Sequence, residues 1–277
     1  MTDIVLRSLT TVSELEAMQK LEQEVWQMTS PVPLHQSLTV AKNGGIIIGA
    51  YQGDTLVGLL YSFPGWLNGE AFLCSHMLGV REGLRHRGLG ARLKQAQAEA
   101  ARLAGYPMIT WTYDPLETAN AYLNIGKLGA VCSTYMADCY GNMPDPLNKG
   151  LPSDRFKVAW WLHHPKPTIP PYQETSLIDW RLMDNGLVEP TGVNHEFSGG
   201  RAILKVAVPV DYQSMKQQDI ALARVWRQIS GKVFAESFAA GWVVAGFRLG
   251  DHAVHEYLLC RREELALPEL PWDRGKE

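Results

Sequence analysis

Arg85-His86-Arg87-Gly88-Leu89-Gly90 joins the apolar run Phe72–Val80 to Ala91–Leu103, a stretch of good helix formers. Glycines in such a connection let the backbone turn tightly and approach a ligand closely. The helix that follows opens with unpaired amides and the positive end of its dipole, so phosphate is its natural guest. No Gly-Lys-Ser/Thr follows, which excludes a nucleotide P-loop. GxGxxG is absent too, and the preceding strand does not open a βαβ unit, which excludes a dinucleotide fingerprint.

Outward from this stretch, Ile4–Leu9 reads as a strand. Ser13, with Glu16 completing a capping box, starts a helix whose Leu15, Met18, Leu21 and Val25 share a face. Ile46–Tyr51 and Leu56–Phe63 flank Gln-Gly-Asp-Thr as a hairpin, with Phe72–Val80 a third strand buried on both faces. Met108–Thr112 is a strand, and Asp114-Pro115-Leu116-Glu117 opens a helix over 115–127 that Gly129 ends. Val131–Tyr135 and Phe156–Leu162 finish the order β-α-β-β-β-α-β-α-β-β. The expected class is α/β, a mixed, mostly antiparallel central sheet flanked by helices, with a small α+β C-terminal region.

Four prolines in 164–171 stop both helix and strand, so this stretch reads as a linker between a domain over 1–163 and a region over 172–277. In the latter, Ala202–Val208, Trp242–Leu249 and His255–Cys260 read as strands. Ile220–Phe238 is a helix with Leu222, Trp226, Ile229 and Val233 in a core stripe. The proline-rich loop Gly141 to Asp154 is long for a plain connection, and such loops are often functional.

The chain has 277 residues, 46% hydrophobic and 20% charged, with a net charge of -3. That balance lacks the basic excess of an electrostatic nucleic-acid binder. The four cysteines have no CxxC spacing, which argues against zinc and a disulfide framework and for reduced thiols. MTDIVLRSLTT lacks a basic region followed by an apolar stretch, and no apolar run approaches the roughly 20 residues that span a bilayer. A soluble cytoplasmic protein is expected, with no metal, nucleic-acid or membrane partner.

Arg85-His86-Arg87-Gly88-Leu89-Gly90 matches, position by position, the R/Q-x-x-G-x-G/A signature of the GNAT acyltransferases. The element order is similar to that fold over about residues 1–163. The chain resembles a subfamily with an added C-terminal region, marked by Asp-Pro-Leu-Glu at 114–117 and Gly-Leu-Pro-Ser-Asp-Arg at 150–155. The resemblance implies acetyl-CoA as cofactor. It implies that amides of Arg87, Gly88, Leu89, Gly90 and Ala91 hold the pyrophosphate, and that the backbone of Leu78 and Val80 pairs with the pantetheine arm. Arg85, Arg87 and Arg92 are candidates to meet phosphate charge. Asn120, Asn124 and Lys127, spaced by four and three, share a helix face from which the asparagines would bond the pantetheine amides.

The resemblance also marks departures. The family's tyrosine, general acid to the leaving thiolate, falls at Ile125, leaving Tyr122 as the substitute. The family's occasional strand glutamate falls at Cys74. His76, two residues on, has base chemistry near neutral pH. A Cys74–His76 nucleophilic pair lacks a third, orienting group. Asp154 and Arg155 are candidates to contact the acceptor, a small-molecule or peptide amine, which would enter over loop 141–154 or from the C-terminal region. The expected reaction is direct acetyl transfer in a ternary complex. The alternative is a CoA-binding module without turnover. A homodimer is a further possibility for the C-terminal region.

Overall fold

The computed structural model describes residues 4–85, 87–141, 150–195, 201–250 and 253–274. It divides into two compact units: one of residues 1–111, 161–164 and 268–277, the other of 112–160 and 165–267.

In the first unit, β1 (Ile4–Ser8), α1 (Val12–Trp26), α2 (Leu34–Lys42), β2 (Ile46–Gln52), β3 (Thr55–Leu67) and β4 (Glu70–Val80) precede α3 (Leu89–Leu103) and the start of β5 (Met108–Tyr113). The strands β1 to β4 pair antiparallel in chain order, and β5 joins β4 in parallel. On one face Leu15, Met18 and Leu21 of α1 pack with Ile47, Leu59 and Tyr61. On the other, Leu89 and Leu93 of α3 pack with Ile48, Val57, Leu60 and Val80. Each such leucine, taken fully out of water, stabilises by roughly 1.5–3 kcal/mol. Leu89 thereby fixes where α3 begins. Further along the chain, Leu162 accepts from Arg102 Nε at 2.7 Å, and Trp272 meets Phe72 edge-on at 6.2 Å.

Several boundaries differ from the sequence expectations. The capping box of α1 is Thr11 and Glu14, because Glu14 Oε2 accepts from both the Thr10 and Thr11 amides at 3.0 Å. The helix α2 was not expected. It follows Pro33 and is held by Leu34, Leu38 and Val40 packing on the α1 face of the sheet. The hairpin of β3 and β4 is longer than expected because Asn68 (φ 49) and Gly69 (φ 82) make a turn with both central residues at positive φ.

The second unit begins within β5 and continues through α4 (Thr118–Ala121) and a π-helical turn, Tyr122–Lys127, to β6 (Val131–Met136) and β7 (Arg155–Trp161). Then come β8 (Gln173–Ser176), the hairpin of β9 (Ile178–Leu182) and β10 (Val188–Val193), β11 (Ala202–Pro209), α5 (Tyr212–Gln218) and α6 (Ile220–Ala239). It ends with β12 (Trp242–Arg248) and β13 (Val254–Arg261). Its sheet runs β7-β6-β12-β13-β11-β8, antiparallel except for β11 with β8. Phe156, Phe234 and Tyr257 meet edge-to-face at its centre, with ring centroids 4.7–5.4 Å apart. Of the expected stripe of α6, Trp226 and Val233 are buried and Leu222 and Ile229 half-buried; Trp242 of β12 is buried as well. Residues 165–172 carry neither helix nor strand, and Ile169 packs where a side chain at Gly246 would stand. The mixed α/β class and its mostly antiparallel sheets agree with the sequence reading.

The expected helix over 115–127 is corrected. Asp114 Oδ1 accepts from the Leu116 amide at 2.9 Å, closing a turn, and the α-helical winding covers Thr118–Ala121 alone. Glu117 does not reach back to cap it; its carboxylate accepts from Gln213 Nε2.

Candidate active site

The strand β4 changes character halfway. Tyr61 faces Met77 and Ser62 faces Ser75, so His76 is an extra residue, a β-bulge. A bulge bends its strand and disrupts the local ladder. Pairing with β5 covers Leu73 with Ile109 and Cys74 with Thr110, before the bulge. Beyond it, the Arg81 amide donates to the Val57 carbonyl at 2.9 Å. Antiparallel partners alternate between exchanging both bonds and none. In this register the main chains of Arg81, Gly79 and Met77 therefore face β3, and those of Leu78 and Val80 face away from it. The Val80 carbonyl on that outer side accepts from Arg85 Nε at 3.2 Å.

The signature loop follows. Gly88 is the N-cap of α3 at φ 79 and ψ 1, and no side chain caps the helix. A side chain at Gly88 would meet nothing within 4 Å, so the glycine is there for its backbone angle, not for room. The Arg92 amide bonds the Gly88 carbonyl at 3.1 Å, while the amides of Leu89, Gly90 and Ala91, on the opening turn, have no intrahelical acceptor. Arg85, Arg87 and Gly88 are exposed, Gly90 and Ala91 half-buried, and Leu89 buried. Arg92 donates to the Ile4 carbonyl at 2.7 Å. His86 lies outside the described residues.

His76 is exposed at the bulge, with its ring 6.2 Å from that of Tyr61 and 5.8 Å from that of Phe63. Desolvation by these neighbours lowers its pKa, so the neutral, proton-accepting form prevails at neutral pH. Cys74 is half-buried and opposite Phe63. Below this face Glu22, buried in α1, accepts from the Val32 amide at 2.9 Å. Among the described residues its other oxygen, Ser37 Oγ and Tyr61 Oη are buried without a well-formed hydrogen bond, although Tyr61 lies close enough to Ser37 and Glu22 to feel both. Desolvation raises the Glu22 pKa.

In the second unit, Tyr122 opens the π-helical turn, 37% exposed, with Lys127 Nζ 4.9 Å over its ring. Ile125 is fully buried. The expected polar face is not formed as read. Asn120 and Lys127 are exposed while Asn124 is buried, because winding wider than 3.6 residues per turn breaks the spacing arithmetic. Asp154 and Arg155 belong to a buried charged network rather than a surface ion pair. Asp114 holds Arg227 through two bonds of 2.7 and 2.5 Å and stands 3.9 Å from Arg155. Asp154 accepts from the Tyr135 hydroxyl and, at 2.9 Å, from the Asp138 amide. Burial, with the nearby Asp154, pushes the Tyr135 phenol far up. Of the loop over 141–154, residues 142–149 lie outside the described residues. Sequence reasoning missed Arg227, which lies 113 positions from its partner.

Among the described residues, no His, Cys, Asp or Glu cluster is placed to hold a metal, and no helix is long and apolar enough to cross a membrane.

Residues 12–126 match the Acetyltransferase (GNAT) family. No significant match is found among curated proteins. Among solved structures, an IAA acetyltransferase from Bacillus cereus ATCC 14579 is similar at 17% identity and TM-score 0.44, over 57% of this chain and 99% of its own. A GNAT family acetyltransferase from Elizabethkingia anophelis, with acetyl-CoA bound, is similar at 15% identity and TM-score 0.45, over 58% and 99%. The ribosomal-protein-S18-alanine N-acetyltransferase from Escherichia coli is similar at 15% and 0.46, over 61% and 99%. Similarity this distant carries neither substrate nor mechanism from one protein to another.

Proposed function

We propose, from the match of residues 12–126 to the Acetyltransferase (GNAT) family, that the protein transfers an acetyl group from acetyl-CoA to an amine by direct attack in a ternary complex. The observation that carries this reading is the pairing of an uncapped helix start at Gly88 with a strand edge facing away from its neighbour. The helix start presents amides and a partial positive charge to the pyrophosphate. The Leu78 and Val80 main chains offer the amide-bearing pantetheine arm a ladder to extend. When the arm takes the Val80 carbonyl, Arg85 is released toward the phosphates, beside Arg87.

An extended arm entering at Val80 and following the edge back toward His76 brings the thioester to the bulge. There the acceptor nitrogen attacks the carbonyl carbon, the new C–N bond forms, the C–S bond breaks, and the thiolate leaves. His76, neutral and exposed, accepts the proton the amine must shed. Tyr122, in the second unit, remains the sequence's candidate for the acid. Of the two asparagines, Asn120 is exposed and Asn124 buried. Asp154 and Arg155, buried and tied to each other, serve the acceptor side by fixing Tyr135 and Tyr140 rather than by touching substrate. The four free thiols suit the cytoplasm as the setting of this reaction.

The test is release of free thiol from acetyl-CoA over a panel of primary amines, small molecules and peptides alike. Amine-dependent release supports acyl transfer. Saturable CoA binding with no release for any acceptor class would replace it with a binding module.

A further inference from the structure

Lys94 occupies the fork at which β4 and β5 part. The paired positions end at Cys74 and Thr110, and the next residue on each strand is Ser75 and Trp111. Between these two reaches Lys94 from α3, with Nζ 2.8 Å from Ser75 Oγ and 3.6 Å from the centre of a Trp111 ring. The side chain is 3% exposed. An ammonium has three donors and no acceptor; the hydroxyl takes one and the indole face engages the charge. Among the described residues no carboxylate neighbours it. A second observation lies one turn further along the same buried face of α3. Gln97 is fully buried, and among the described residues both atoms of its amide lack partners. Burying an amine without a counter-charge is costly if it stays charged, and an unmatched buried amide adds to that cost. Leucine or alanine on this face would cost neither.

The position gives these groups a use. In the proposed donor site, the arm starts at the amides after Gly88 and advances about 3.3 Å per residue along the edge from Val80. Its acyl end thus arrives at the fork. An acetyl methyl group has nothing to offer an amine there. A carboxylate does: it neutralises the ammonium and offers an acceptor to the Ser75 hydroxyl, whose oxygen accepts from Lys94.

We propose that Lys94 recognises a donor acyl chain ending in a carboxylate, so that the site takes a short dicarboxylic acyl-CoA in preference to acetyl-CoA. The inference rests on the reading of the β4 edge as the donor site.

Calorimetry on the full chain and on Lys94→Met, with CoA, acetyl-CoA and succinyl-CoA as probes, tests it. The wild type should bind succinyl-CoA at least tenfold more tightly than acetyl-CoA, and Lys94→Met should bring that ratio close to one. Lys94→Gln serves in the same comparison if the methionine variant does not fold. Equal binding of the two thioesters by the wild type, or a preference that survives in the variant, overturns the proposal. Wild-type binding of CoA separates the two failures: CoA bound without a succinyl preference sinks this inference alone, whereas no CoA binding sinks the donor site with it.

Discussion

Replacing Gly88 by alanine isolates the backbone geometry of the signature loop. The added methyl group meets nothing within 4 Å, so no clash contributes. What remains is the left-handed angle, φ 79, which costs an L-residue about 1–2 kcal/mol. At roughly 2–4 °C per kcal/mol for a chain of this size, the melting temperature should fall by about 2–8 °C. If the loop relaxes to escape the strain, its amides turn away from the phosphate. One lost hydrogen bond to a charged group is worth about 1.5–3 kcal/mol, so CoA affinity should fall by about 10- to 150-fold. Gly69 is the matched control: its φ is 82, it also has nothing within 4 Å, and it sits at the tip of the β3–β4 hairpin. Gly69→Ala should show the same loss in melting temperature and wild-type CoA affinity by calorimetry. If the two variants bind CoA equally well, the loop does not hold the donor by its backbone, and the reasoning fails.

His76→Gln should lower kcat/KM by about 10²–10⁴. In the wild type, kcat/KM should rise with pH through a value below the ordinary histidine range and then level off; the variant should lack that limb. Glu22→Gln should stabilise the protein by roughly 1–3 kcal/mol at pH 8, because the amide can satisfy its orphaned hydroxyl neighbours without a buried charge. The native Glu22 pKa is raised, so wild-type stability from this group is fully present below the ordinary carboxylate range and is lost as pH rises through the raised value. The gain from Gln, read by thermal melting, should therefore vanish in acid. Asp114→Ala leaves Arg227 buried and uncompensated and should cost about 3–5 kcal/mol in urea unfolding.

What was legible in the sequence was local. A glycine-rich turn before a run of helix formers announces both the loop and the start of α3, because the positive φ and the free amides depend on adjacent residues. The Asn68-Gly69 dipeptide is an equally local signal for the β3–β4 turn. The helix α2 was obscured by its two preceding prolines and its weak apolar stripe; packing on the sheet, not propensity, holds it. Asn120 and Asn124 were read with a period of 3.6, which the π-helical turn from Tyr122 does not obey. Lys94 and Gln97 have the composition of ordinary polar helix residues, although they fall on the buried stripe of Leu89, Leu93 and Ala101 and interrupt it. The pairing of Asp114 with Arg227 had no signal at all, since a contact between distant positions leaves no spacing to read.

A crystal structure of the complex with CoA tests the central claim most directly. It should show pyrophosphate oxygens within about 2.7–3.2 Å of the amides after Gly88, and the pantetheine arm bonded to the Leu78 and Val80 main chains. CoA bound elsewhere, with those amides left to solvent, would contradict the account.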